Sequence, residues 1–128
     1  MTTTSQLVVI SFIINFMFFT SGIDKFLHFP KVVIGLKKRF PIELYHIFYQ
    51  LMIVGVIVIE LFAPVMIMYS IFNPSYKRYG VYACYALVAF TVLATLLYHF
   101  PPIGVQWYPF TSNITTVGGL LALSMLLR

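Results

Sequence analysis

Charge is what this 128-residue chain has least of: 9% of its residues are Asp, Glu, Lys or Arg, and only three of those are acidic. An ordinary soluble domain is about a quarter charged, so a water-facing surface over the whole molecule is excluded. Cysteine is almost as scarce. The single Cys84 excludes an intrachain disulfide, a CxxC redox pair and a thiolate metal cluster. The three histidines, His28, His46 and His99, do not stand at a recognisable ligand spacing, which points to no metal site. A nucleophile paired with a base, a phosphate-cradling loop and a dinucleotide fingerprint are also missing. These gaps favour a noncatalytic protein with no intrinsic cofactor.

Apolar residues make up 61% of the chain, at a mean hydropathy of +0.96. They fall into four runs, about Gln6 to Phe26, His46 to Phe72, Tyr79 to Phe100 and Thr111 to Leu127. About 20 apolar residues cross a bilayer as a helix, so the expected fold class is all-α: an integral membrane four-helix bundle, one domain over residues 1–128. Both termini then lie on one side. The first run lacks a basic leader and a small-residue cleavage site, so it reads as a retained helix.

The connections carry the charge. Eight Lys and Arg against three acids give a formal net charge of +5, and the basic residues flank the spans, which fits lipid headgroups and not nucleic acid. Between the first two spans, Pro30 to Pro41 holds Lys31, Lys37, Lys38 and Arg39, while Val33, Leu36 and Phe40 share one helical face. That pattern predicts an interfacial helix lying along the membrane surface. Asn73 to Tyr79 reads as a short polar turn. Pro101 to Phe110 reads as an aromatic loop, with Trp107 and Tyr108 in the headgroup zone.

Glu60 is the only charged residue in the run from Ile47 to Phe72. An acid near the centre of a membrane helix costs roughly 2.5 to 3.5 kcal/mol on insertion scales, so something must offset it. Pro64, four residues on, has no N–H for the Glu60 carbonyl. With all helix ends drawn level, Asp24, Lys25, Glu43, His46, His99 and Asn113 meet at one polar level. Glu43, after Pro41, is then placed in the first turn of the second helix. Glu60 lies on the order of 15 Å deeper than Lys25 at the helical rise per residue, so a direct Lys25 to Glu60 salt bridge is not expected. A partner subunit, water or ligand is expected instead. Asp24, Lys25, Glu60, His99 and Asn113 are the candidate contact residues, with Glu60 and His99 the candidates for proton exchange.

Small residues mark packing faces. Gly80, Cys84, Thr91 and Thr95 recur at steps of four, seven and four in the third span; Thr115, Gly118, Gly119 and Ala122 line the fourth, with a small-xxx-small pair at Gly118 and Ala122. Packing inside the bundle is the expected use of both sets.

The run Ser21-Gly22-Ile23-Asp24-Lys25-Phe26, Glu60 in the second span, His99 after the third and Gly118-Gly119 in the fourth together resemble the DoxX-like family of small four-helix membrane proteins. The resemblance covers essentially the whole chain, departing where Ala63-Pro64 follow Glu60. Such proteins include small subunits linked to thiosulfate and quinone oxidoreduction, parts of membrane oxidoreductase complexes, and receptor-assembly chaperones. The resemblance therefore implies an accessory or assembly subunit of a larger membrane complex, respiratory or redox, in a mitochondrial inner membrane or bacterial plasma membrane. Two alternatives stand beside it. One is a quinone-linked oxidoreductase component using Glu60 or His99; the other is a lipid- or sterol-binding protein whose cavity is shaped by Glu60 and Pro64.

Overall fold

The protein is described by a computed structural model covering residues 3–128. Five helices follow one another: α1 (Thr4–Leu27), α2 (Phe29–Arg39), α3 (His46–Phe72), α4 (Lys77–Tyr98) and α5 (Trp107–Leu127). All but α2 are long and apolar enough to cross a membrane. The chain is an all-α four-helix membrane bundle with one short helix added. In space α1 packs along α3, α3 along α4 and α4 along α5, while α5 meets α1 over a shorter seam.

Local chemistry explains most of the helix boundaries. Thr3 caps α1 through a reciprocal pair of bonds with Gln6, its hydroxyl accepting from the Gln6 N–H at 3.2 Å. At the other end of α1 only His28 separates it from α2, so the chain turns an elbow there. The bounds of α3 match the expected span from His46 to Phe72, but Glu43 does not stand in its first turn. Glu43 is exposed and lies outside the helix, which begins at His46. The Tyr49 hydroxyl accepts from the Leu44 N–H and donates to the Ile42 carbonyl, both at 3.0 Å, and this holds the preceding residues as a hook that delays the helix.

The third connection is shorter than expected. Gly104, at φ 60°, opens a single 3-10 turn over Gly104–Gln106, and α5 starts at Trp107, so Trp107 and Tyr108 are helical. Pro109 falls within the first turn, where its missing N–H costs no helical bond.

Two cores result. The larger joins Phe18 of α1, Ile67 and Ile71 of α3, Cys84 and Leu87 of α4, and Leu120 and Leu123 of α5. The smaller joins Val33 and Leu36 of α2 to Tyr49, Ile53 and Ile57 of α3, with Phe40 packed against it. Val33 and Leu36 thus do share the buried face of α2, while Phe40, in extended backbone past its end, packs against the same cluster. Phe29, at the start of α2, borders a notch with Ile57, while Phe40 beyond its end stacks edge-on to Tyr49 at 5.8 Å between centroids. Along much of its length α2 therefore follows α3 outward. Arg39, 4.7 Å from the centre of the Tyr98 ring, ties the end of α2 to α4.

The face of α4 carrying Gly80, Cys84, Thr91 and Thr95 is buried throughout. Gly80 sits so close to α3 that a Cβ there would collide with the Ser70 hydroxyl and lie 2.7 Å from the Ser70 Cβ. The α5 face differs. Gly119 lies against Ile14 of α1, but Thr115, Gly118 and Ala122 point outward, and a Cβ on Gly118 would meet nothing within 4 Å. A Cβ on Gly55 would likewise meet nothing within 4 Å. The contrast predicts that Gly80→Ala lowers stability by about 1–3 kcal/mol through overpacking, while Gly55→Ala leaves it unchanged or raised. Thermal unfolding of both variants in detergent checks this, and equal effects would contradict the close α3–α4 approach.

Candidate functional site

On α1, the residues Ser11, Asn15, Phe18 and Gly22 follow steps of four, three and four, and all are buried. Gly22 faces Leu61 and Glu60 of α3. A Cβ there would lie 2.9 Å from Leu61 Cδ2 and 3.1 Å from Glu60 Cβ, so only a glycine lets the two backbones come together without displacement.

Lys25, one turn further along, reaches across this contact. Its Nζ lies 2.8 Å from Glu60 Oε1, with the lysine side chain 23% exposed and the glutamate 2% exposed. This overturns the expectation that the two stand about 15 Å apart in depth. The helix ends are not level. Glu60 stands fourteen residues above the start of α3, about 21 Å, whereas Gly22 stands five residues above the end of α1, about 7.5 Å. The excess of α3 is covered by α2. Glu60 therefore finds its partner within its own chain.

The Lys25 ammonium also donates to the Ser21 hydroxyl one turn back, which aims it at α3. Its contact with Glu60 Oε1 falls at the distance of a charge-assisted pair, so the buried carboxylate oxygen is compensated by the ammonium group. Pro64, buried four residues above, continues α3 but supplies no N–H to the Glu60 carbonyl. The Glu60 carbonyl is thus left without its helical donor one turn from the ion pair.

The other residues expected at one polar level separate into four groups. Asp24 pairs with His28, Oδ1 to Nδ1 at 3.1 Å, on the exposed side of the elbow. His99 Nδ1 lies 2.7 Å from Gln106 Oε1, which places the proton on Nδ1 and pins the end of α4 to the turn before α5. Asn113 donates to the Thr95 hydroxyl at 3.0 Å, and Thr95 donates to the Thr91 carbonyl at 2.6 Å. His46 and Glu43 stay exposed at the start of α3. No hydrogen bond or ion pair joins His99 to Glu60 among the described residues, and no three His, Cys, Asp or Glu side chains converge on one point there.

Ser11 and Asn15 were not singled out by the sequence reading. Asn15 donates to the Ser11 carbonyl at 2.8 Å, but its Oδ1 and the Ser11 hydroxyl are buried without partners among the described residues. The helical spacing of Ser11, Asn15 and Gly22 was the available signal. Compared with family models, with curated proteins and with solved structures, the chain matches none of them.

Breaking a buried ion pair by removing one partner costs about 3–5 kcal/mol, mostly through the charge left unpaired. Lys25 reaches partial exposure and retains Ser21, whereas Glu60 has no outlet. Lys25→Met should therefore destabilise the protein more than Glu60→Met, toward the lower end of that range, and Lys25→Met/Glu60→Met should recover most of the loss. Unfolding of the four proteins in detergent measures the coupling; strictly additive losses would show that the contact has no energetic role.

Proposed function

We propose that this chain is a noncatalytic accessory or assembly subunit of a larger membrane complex. The resemblance to DoxX-like proteins suggests a respiratory or other redox assembly, in a mitochondrial inner membrane or bacterial plasma membrane. The carrying observation is the outward face of α5. Thr115, Gly118 and Ala122 are exposed there, and from Trp107 to Gly119 the helix contributes no fully buried residue.

In lipid, helices associate through close backbone packing and not through a hydrophobic driving force, so a small-residue face favours approach of another helix. The pairing of Glu60 with Lys25 adds support, because it gives the deep acid a structural use between α1 and α3. Mild extraction followed by native mass analysis should find the chain in a stoichiometric larger assembly. Gly118→Leu/Ala122→Leu should release it from that assembly with its own thermal stability intact. A parent protein recovered only as a monomer or homodimer would rule the subunit reading out.

One observation favours a second reading. Glu60 is buried beside a partly exposed ammonium group, an arrangement suited to proton exchange with a quinone in a lipid-facing site. Glu60→Gln should then abolish quinone turnover in the purified assembly while leaving its composition unchanged. Normal turnover in that variant removes Glu60 from any such mechanism.

A further inference from the structure

The α1–α2 elbow leaves a notch on the side of α3. Phe26 and Phe29 form one wall and Val54, Ile57 and Val58 the other, enclosing about 320 Å³ with an almost wholly apolar lining. That volume is at the small end of ligand sites, which run from about 300 to 1,000 Å³. It suits a stretch of hydrocarbon chain better than a whole polar ligand.

The helix that leaves the notch carries the charge. From Asp24 to Arg39 the chain holds five basic residues and one acid. The acid, Asp24, is engaged by His28, and Arg39 is engaged by the Gly35 carbonyl and the Tyr98 ring. Lys25 belongs to Glu60. Lys31, Lys37 and Lys38 remain exposed and have no carboxylate within ion-pair distance among the described residues. Glu43, beyond the end of α2, is the only other acid on this side and makes no ion pair. Lys31 and Lys38 share one face of α2, about half a turn round from Phe29 and outward from α3, and Lys37 stands on the flank between the two faces.

We infer that the notch and these three lysines form a binding site for an anionic phospholipid, with an acyl chain against Phe26, Phe29 and Val54 and the phosphate on α2. The direction fits. Because α2 follows α3 from Ile57 out toward Tyr49, the apolar notch lies deep and Lys37 and Lys38 lie outward, the order of tail and headgroup in a membrane leaflet. A zwitterionic lipid would fill the notch equally well but would leave the three cations uncompensated. Each Lys near an anionic headgroup adds a favourable, salt-screened contribution.

The site is tested by moving the only tryptophan into it. Trp107→Phe/Phe26→Trp is reconstituted in phosphatidylcholine vesicles, and brominated-chain phosphatidylglycerol is compared with brominated-chain phosphatidylcholine at equal mole fraction. The phosphatidylglycerol should quench at roughly five- to tenfold lower mole fraction, the order of one such lysine contribution. Lys31→Gln/Lys37→Gln/Lys38→Gln in the same background should erase the preference, and Lys77→Gln/Arg78→Gln, on the opposite connection, should preserve it. Far-ultraviolet circular dichroism and the unfolding transition confirm that each variant is folded; if the triple variant is not, Lys38→Gln alone should reduce the preference. Equal quenching by the two lipids in the parent overturns the proposal. So does an equal loss from the Lys77 and Arg78 changes, which would mean a diffuse surface charge. Quenching that falls as protein density rises, whatever the headgroup, would put a second copy of the chain in the notch and also overturns it.

Discussion

The approach of α1 to α3 at Gly22 sets the vertical relation of every other element. With Leu61 Cδ2 2.9 Å from where a Cβ would stand, the two helices are locked with Gly22 opposite Glu60. The lower turns of α3 then extend well past the end of α1 and need a cover. The chain supplies it by bending at His28 and laying the Val33 and Leu36 face of α2 onto Tyr49, Ile53 and Ile57. The Tyr49 hydroxyl, bonded to Leu44 and Ile42, closes the return, and Arg39 on the Tyr98 ring ties the elbow to α4. A single missing side chain thus leads to the second core.

The same contact determines what Glu60 is worth. An isolated carboxylate in this interior would be expensive, and the Lys25 ammonium at 2.8 Å removes that expense without making the pair better than two apolar side chains would be. Replacing buried ion pairs by hydrophobic residues is often neutral or stabilising. Stability alone is therefore a poor reason for Lys25 and Glu60 to occupy the α1–α3 seam. Fixing which turn of α1 meets which turn of α3 is a better one, since apolar surfaces in lipid slide past one another at little cost.

Fold class, the four spans and the buried face of α4 were legible in the sequence because they rest on length and periodicity, which the chain displays openly. The buried face of α2 was legible for the same reason. Vertical placement was not. Drawing the helix ends level is the natural assumption when only spans are visible, and it separated Lys25 from Glu60 and gathered Asp24, His99 and Asn113 into one cluster. What corrected it was the distance from a missing Cβ at Gly22 to Leu61, which no spacing rule contains. Glu43 was misplaced for a similar cause, since the hook made by the Tyr49 hydroxyl depends on a side chain five residues away. On α5 the small residues were visible, but whether they faced inward or outward depended on where α1 ended.

How the buried polar groups are satisfied separates α1 from the other helices. On α3, α4 and α5, Ser70, Thr91, Thr95 and Ser124 each donate to a carbonyl of their own helix, at 2.7, 2.7, 2.6 and 2.6 Å. Such hydroxyls pack as small residues and ask little of a neighbouring helix. Among the described residues, the buried side-chain atoms left with neither a hydrogen-bond nor an ion-pair partner are Ser11 Oγ and Asn15 Oδ1 on the inward face of α1. An unsatisfied polar atom in an apolar interior is costly and usually has a use or a bound water. The bundle is therefore chemically asymmetric: α4 and α5 build a self-satisfied wall, and the residual polar capacity is concentrated where α1 lies. Any chemistry or polar ligand within this fold belongs on that side, and the outward small face of α5 is left for packing.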